Sequence, residues 1–306
     1  MKKFTLRLIL IITITLFAYV SLFFVVGLST LITPKIESIT FKNLNIFGST
    51  YLRSIDFNIW AKIKNANKKG LILGSSTAYR NINPYILEEA TNIDWFNLGS
   101  SAQSPNISLL LIKDAIQKTK IDYILLDLFS EYTNSNGNES AIDWIKNSNL
   151  STPVKFRFLT ESKLDVKKTN VFLYWSIKKQ IPSKKYFSGL KNNGEYIGKG
   201  FVCYTPNSIT NFNSQKNRKF RVIETNSTIQ EIISLCKQKD IKLIINICPV
   251  IGLKNISTIE YPFVLNNDDF VKDTNNFRLF FDTCHMTCDG SKKYSYTIAN
   301  KINKIK

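Results

Sequence analysis

A hydroxyl, an imidazole and a carboxylate stand where they could together move an acyl group. Ser76 follows the apolar run Gly70-Leu71-Ile72-Leu73 in the turn Gly74-Ser75-Ser76, and Asp282 precedes His285 in Asp282-Thr283-Cys284-His285. Acyl hydrolysis or transfer needs a nucleophile, a base that takes its proton and donors for the oxyanion. The chain has one histidine, so any imidazole chemistry falls on His285. Asp282 would accept the proton on one ring nitrogen and leave the other facing Ser76. The backbone N–H groups of Ser76 and Gly99 would hold the oxyanion, with Ser75 and Asn97 ordering the two turns. Each has a plainer reading: Ser76 as a helix N-cap, Asp282 and His285 as a loop ion pair, and Gly99 as a turn glycine with positive φ.

These residues need a scaffold that brings distant loops to one edge. Gly70–Leu73, Trp95-Phe96-Asn97, Tyr123–Leu128, Ile241–Ile247 and Phe277–Phe281 are short apolar runs that read as five strands. Helices are expected between them at Pro84–Ala90, Ser108–Gln117, Ser227–Lys239 and from about 289 to 303. Strands alternating with helices predict an α/β fold, a three-layer α/β/α body with a mostly parallel five-stranded sheet. In such folds ligands bind beyond the carboxyl ends of the strands, which is where Ser76, Gly99, Asp282 and His285 fall. Residues 131–220 break the rhythm, being rich in Asn, Ser and Lys with scattered aromatics, and read as an inserted cap.

The N-terminus predicts a membrane segment. Lys2, Lys3 and Arg7 form a basic tail over 1–7, and no charge follows until Lys35. The apolar run 8–32 amounts to roughly 37 Å of helix, enough to cross a hydrocarbon core of about 30 Å. It is too long for the core of a cleaved signal and no Ala-x-Ala follows, so an uncleaved signal anchor is expected, with a cleaved signal as the lesser alternative. The basic flank orients the tail to the cytoplasm. The expected protein is therefore single-pass in the cytoplasmic (inner) membrane. A stalk or docking segment would occupy 33–66, and the domain over 67–306 would be extracytoplasmic.

Hydrophobic residues make up 44% and charged residues 21% of the 306, the balance of a chain that folds. With 41 Lys and Arg against 23 Asp and Glu, the formal charge is +18, which favours anionic surroundings. Outside the cytoplasm that makes lipid headgroups or acidic glycans the expected partners, and not nucleic acid.

Five cysteines are too few for a disulfide-framed miniprotein. Cys236 and Cys248 sit in apolar surroundings and read as buried thiols. Cys284, His285 and Cys288 raise a metal alternative, completed by Cys203 or an acid, but C-H-x-x-C is neither a haem motif nor a full zinc set. No metal and no cofactor is expected. In an oxidising exterior, Cys284–Cys288 or Cys203–Cys284 bridges are conceivable.

Taken together, these blocks resemble the SGNH (GDSL-like) hydrolases and their membrane-anchored acyltransferase relatives. Their G-D-S block is matched by Gly74-Ser75-Ser76, with Ser75 in place of the acid, a variation associated with membrane-anchored members. Their oxyanion glycine is matched by Phe96-Asn97-Leu98-Gly99, and their D-x-x-H block by Asp282 to Gly290. The resemblance covers about 69–130 and 220–303. It implies an SGNH/flavodoxin-like fold and a serine esterase or O-acyltransferase acting on a cell-envelope polysaccharide or lipid. A membrane acyl-donor protein is a further partner of such an enzyme. One block departs: after the third strand stands Asp127-Leu128-Phe129-Ser130, without the Asn of G-x-N-D. Losing one oxyanion donor typically costs about 10²–10³ in rate, so the alternative is a catalytically silent module that binds an anionic glycan or a partner enzyme.

Overall fold

The structure, a computed structural model, describes residues 2–32, 59–135, 137–148, 150–161, 194–204 and 219–305. In chain order the helices are α1 (Lys2–Ile32), α2 (Ile59–Asn65), α3 (Ser76–Asn81), α4 (Pro84–Thr91), α5 (Pro105–Lys118), α6 (Asn138–Asn147), α7 (Thr152–Glu161), α8 (Ser227–Gln238) and α9 (Cys288–Ile305). The strands are β1 (Lys69–Gly74), β2 (Asp94–Asn97), β3 (Tyr123–Leu128), β4 (Gly194–Gly198), β5 (Phe201–Tyr204), β6 (Lys219–Ile223), β7 (Lys242–Ile247), β8 (Leu253–Ser257) and β9 (Val264–Asn266). The chain divides into two units, Met1–Thr50 with Leu150–Leu190 and Tyr51–Asn149 with Lys191–Lys306.

The first unit contains α1 and α7. Large apolar side chains of α1 from Leu8 to Val20 are exposed, Phe17 by 74%. Among the described residues no helix is long and apolar enough to cross a membrane. Within α1 the described side chains are 5 and 7–21, and those at 22–32 of the expected span lie outside them.

The second unit is an α/β body. Among the described residues five strands form an all-parallel sheet in the order β2-β1-β3-β7-β9. Leu71, Ile72, Leu73, Ile124, Leu125, Leu243, Ile244 and Ile245 are almost wholly buried, as a parallel sheet covered on both faces requires. Ile72, Trp95, Leu125 and Ile244 pack with Leu87 of α4 and Tyr294, Ile298 and Ile302 of α9. Helices α5 and α8 lie against the sheet through β1 and β7. Numbered by order in the sheet, the strands run 2-1-3-4-5, so the order reverses between β1 and β3, where a crevice opens at the carboxyl ends.

Local sequence sets the helix ends. Asn83 caps α4 by accepting the Tyr85 N–H at 3.0 Å, Pro84 opens the helix, and Asn92 closes it in the left-handed region. Asn226 caps α8 in the same way through the Ile229 N–H.

Three expectations change. The run 277–281 is not a strand: Thr274–Leu279 is a 3-10 turn, and Phe280 bridges antiparallel to Met286. The Thr287 N–H donates to the Leu279 carbonyl and the Phe281 N–H to the His285 carbonyl. These backbone groups are consumed by their own return, and the edge beside β7 is taken by β9. The expected stalk ends in a helix: Ile59 and Ile63 of α2 are buried, and Lys118 Nζ lies 4.2 Å above the Trp60 ring; residues 33–58 lie outside the described residues. The insertion is divided between units: α7 falls in the first and α6 with the β4–β5 hairpin in the second, while 162–193 and 205–218 are outside the described residues.

The turn from β1 into α3 depends on one glycine. Gly74 has φ +147°, and a Cβ there would meet the Asp127 carbonyl oxygen at 2.5 Å. Positive φ and that close approach both exclude larger residues. Gly74→Ala is expected to lower stability by at least about 2 kcal/mol, measured by urea unfolding; an unchanged midpoint contradicts this account of the turn.

Candidate active site

Ser76 is the first residue of α3, at the carboxyl end of β1; the N-cap position belongs to Ser75. His285 and Asp282 lie on the turn between Phe281 and Met286. The structure brings all three together: His285 Nε2 is 2.7 Å from Ser76 Oγ, and His285 Nδ1 is 2.7 Å from Asp282 Oδ2. The D-x-x-H spacing works because Asp282 also knits its own turn, its Oδ1 accepting the N–H groups of Cys284 at 2.9 Å and His285 at 2.7 Å. Burial raises the Asp282 pKa, but hydrogen bonding to His285, the imidazolium charge and those two backbone donors outweigh it and hold the carboxyl below its usual range. An ionised Asp282 only accepts, so Nδ1 carries the proton and Nε2 is left to accept from the Ser76 hydroxyl.

Two asparagines hold the helix that carries Ser76. Asn97, at the end of β2, donates from Nδ2 to the carbonyls of Ala78 at 2.9 Å and Ile82 at 3.1 Å. Asn81, the last residue of α3, donates to the Cys284 carbonyl at 2.7 Å and accepts the Met286 N–H at 2.8 Å. It thereby clasps both sides of His285 from the helix that carries Ser76. Asn81 escapes sequence reasoning because a single Asn near a helix end has no local signature; its position five residues after the candidate nucleophile is the only hint.

The two candidate oxyanion donors differ in state. The Ser76 N–H is in the first turn of α3 and has no intrahelical acceptor. The Gly99 N–H donates to Asn97 Oδ1 at 3.0 Å. Gly99 does not take the positive φ of a turn glycine. It is closely packed: a Cβ there would sit 3.0 Å from Ala78 Cβ and 3.0 Å from Asn97 Oδ1, so a larger residue would need its neighbours to give way slightly. At the third-block position Ser130 Oγ and Glu131 Oε1 each accept from Arg221 at 3.1 Å, and neither replaces the missing Asn.

Behind the nucleophile turn lies a buried polar knot. Ser75 Oγ is 3.0 Å from Thr77 Oγ1, which donates to Asp127 Oδ2 at 2.6 Å; Asn246 Nδ2 donates to Asp127 Oδ1 at 2.5 Å. Burial pushes the Asp127 carboxyl up, the two hydrogen bonds pull it back, and it comes to about 6. A small cleft opens beside it at the β1–β3 crevice, lined by Gly74, Gln103, Leu128, Phe129 and Tyr132.

The β4–β5 hairpin forms a wall near this edge. The Asn97 N–H donates to the Lys199 carbonyl at 2.8 Å, and a Cβ on Gly200 would sit 1.8 Å from the Asn97 carbonyl oxygen. Lys199 also pairs with Glu88. Cys203 is disulfide-bonded to Cys288 at the start of α9, which replaces both bridges considered from the sequence. Cys236, Cys248 and Cys284 are free, the first two buried.

That bridge also removes Cys288 from the metal alternative. Asp282, Cys284 and His285 still offer three donor atoms within 4.8 Å of one another. They suit a cation poorly: Asp282 and Nδ1 are bonded to each other, and burial with the Asp282 charge pushes the Cys284 thiol well up, away from the thiolate a soft metal needs. Comparison of the chain with family models and with curated proteins finds no match.

Asp127 makes stability pH-dependent. Burial favours its protonated form, so the folded protein keeps that proton to higher pH than the unfolded chain, whose Asp ionises near about 3.9. Its contribution is whole below about pH 4 and is lost as pH rises through about 6. Asp282 acts oppositely, contributing above about pH 4 and losing that contribution as pH falls. Asp127→Asn, with no proton to lose, is expected to gain about 3 kcal/mol on the wild type between about pH 4 and pH 7. Urea unfolding across that range checks this; a constant difference contradicts it.

Proposed function

We propose that the protein is a membrane-anchored, extracytoplasmic SGNH-like serine esterase or O-acyltransferase acting on acyl esters of a cell-envelope polysaccharide or lipid. The observation that carries this reading is the continuous hydrogen-bonded line from Ser76 Oγ through His285 to Asp282. His285 Nε2 takes the hydroxyl proton as Ser76 attacks the ester carbonyl, and Asp282 stabilises the imidazolium that forms. His285 then returns the proton to the leaving alcohol, leaving an acyl group on Ser76. Water or a sugar hydroxyl, deprotonated by the same Nε2, releases it. The Ser76 N–H faces the oxyanion from the start, and the Gly99 N–H joins it by turning from Asn97.

The strand order 2-1-3-4-5 supports the SGNH/flavodoxin-like assignment, and the β4–β5 hairpin with α6 is read as the part of the cap nearest the sheet. The exposed apolar run of α1 supports the anchor, since so large an apolar surface calls for a cover. The Cys203–Cys288 disulfide supports an oxidising compartment. The excess of basic residues favours an anionic polymer or the lipid surface. In the transferase form, a membrane acyl-donor protein charges Ser76.

A second reading, a catalytically silent module that binds an anionic glycan or a partner enzyme, is favoured by one observation: the Gly99 N–H is already engaged by Asn97 and no Asn stands at the third block. Fluorophosphonate labelling separates the two. The wild type is expected to form an adduct on the Ser76 peptide that Ser76→Ala abolishes, with His285→Ala slowing labelling by at least about 10³-fold. No adduct on the folded wild type overturns the enzyme reading in favour of the binding module.

A further inference from the structure

Arg80 lies one turn after Ser76 on α3, so the two side chains are neighbours on one helical face. Its guanidinium carbon is 4.4 Å from the centre of the Tyr204 ring and 5.3 Å from that of Tyr79. Tyr79, Val202 and Tyr204 form a buried cluster with Phe281 packed against it, the Tyr204 and Phe281 ring centres being 4.8 Å apart. Phe281 directly precedes Asp282. The disulfide at Cys203 fixes Tyr204 to this edge. The guanidinium is therefore held between aromatic rings at the rim of the Ser76–His285 pair.

What it lacks is an anion. Among the described residues no carboxylate lies within ion-pair distance of Arg80, and its Nε is buried without a hydrogen-bond partner. Of the acids around this edge, Asp282 pairs with His285, Glu131 with Arg221 and Glu88 with Lys199, while Asp143 acts electrostatically on the Tyr79 hydroxyl. Arg80 and Glu131 both act electrostatically on the Cys284 thiol, beside His285. Arg80 hydrogen-bonds the Tyr79 side chain, and a half-buried guanidinium that keeps further donors beyond that bond is a receptor for a phosphate or carboxylate. Stacking on two tyrosines reduces the freedom it would lose on binding.

We propose that Arg80 is the anion-recognition residue of this site, taking a phosphate or carboxylate oxyanion of the substrate beside the ester that Ser76 attacks. This rests on the acyl-enzyme reading for its substrate, though the anion site itself can be tested apart from it. The substrate class is thereby an acylated molecule with negative charge close to the acylated hydroxyl, and a neutral ester is a poorer substrate.

The test uses the full chain in detergent micelles with inorganic phosphate and acetate as separate probes, titrated by calorimetry. The wild type is expected to bind the matching anion, and Arg80→Met, which keeps the apolar stem, to weaken it about 10- to 100-fold. Arg80→Lys is expected to fall between them, and Lys254→Gln, at an exposed lysine of β8, to match the wild type. A tighter fit for phosphate or for acetate names the source of the oxyanion. In parallel, cleavage of acetylsalicylate, whose carboxylate sits beside the acylated hydroxyl, is expected to fall more than that of phenyl acetate in Arg80→Met, a split that a merely structural stacking role would not produce. If that variant does not fold, phosphate protection of wild-type Arg80 from phenylglyoxal, read by peptide mass spectrometry, replaces it. Equal anion binding by wild type and Arg80→Met, or no protection, overturns the proposal. Anion binding through Arg80 without a Ser76 fluorophosphonate adduct upholds the anion site and overturns the enzyme reading.

Discussion

A carboxylic acid at the carboxyl end of the third strand holds the site edge together. Asp127 accepts from Thr77 on the nucleophile helix and from Asn246 on β7 while wholly enclosed. A buried acid without a partner would be expensive, and a satisfied one fixes the groups that satisfy it. Gly74 makes the same junction possible by letting the backbone pass within contact of β3. Ser76 emerges from this junction one residue before Thr77, so the direction of its hydroxyl follows from how β1, β3 and β7 are tied. Asn246 extends the knot to the Tyr294 hydroxyl and to Asn267, which carries the constraint into α9 and the residue just after the last strand.

The other half of the site is held by a different set of bonds. Asp282 shapes its turn with two backbone bonds before it touches the imidazole, and Asn81 ties that turn to α3 from both sides of His285. Ser76 and His285 thus belong to parts of the chain 209 residues apart and share one helix as their frame. The hairpin bearing Cys203 and Tyr204 closes a further side through its disulfide and through Lys199 against Asn97. With Ser76, His285, Asp282 and Arg80 on one rim, positive charge stands near the Ser76 hydroxyl.

Much of this frame was legible in the sequence. The strands β1, β2, β3 and β7 are short apolar runs, and fully buried parallel strands must look like that. The fifth was misread because β9 has only three residues, while the apolar residues at 277–281 serve a tight turn whose Phe280 packs on Phe270 at 6.1 Å. Ser76, Asp282 and His285 stood out through a lone histidine and a D-x-x-H spacing. Asn81, Thr77 and Arg80 did not, because a polar residue in a short helix acquires its role only from what packs opposite. The pairing of Cys203 with Cys288 is set by the docking of a hairpin 85 residues away, which no spacing rule encodes.

With a single imidazole in the chain, nitrogen-15 NMR of His285 reads the central arrangement directly and without assignment ambiguity. Where the ring is neutral it is expected as the Nδ1–H tautomer, with that proton strongly downfield and protected from solvent. Asp282→Asn should abolish the downfield signal, and Ser76→Ala should shift Nε2 alone. A ring protonated on Nε2 and exchanging freely, indifferent to both substitutions, contradicts the account.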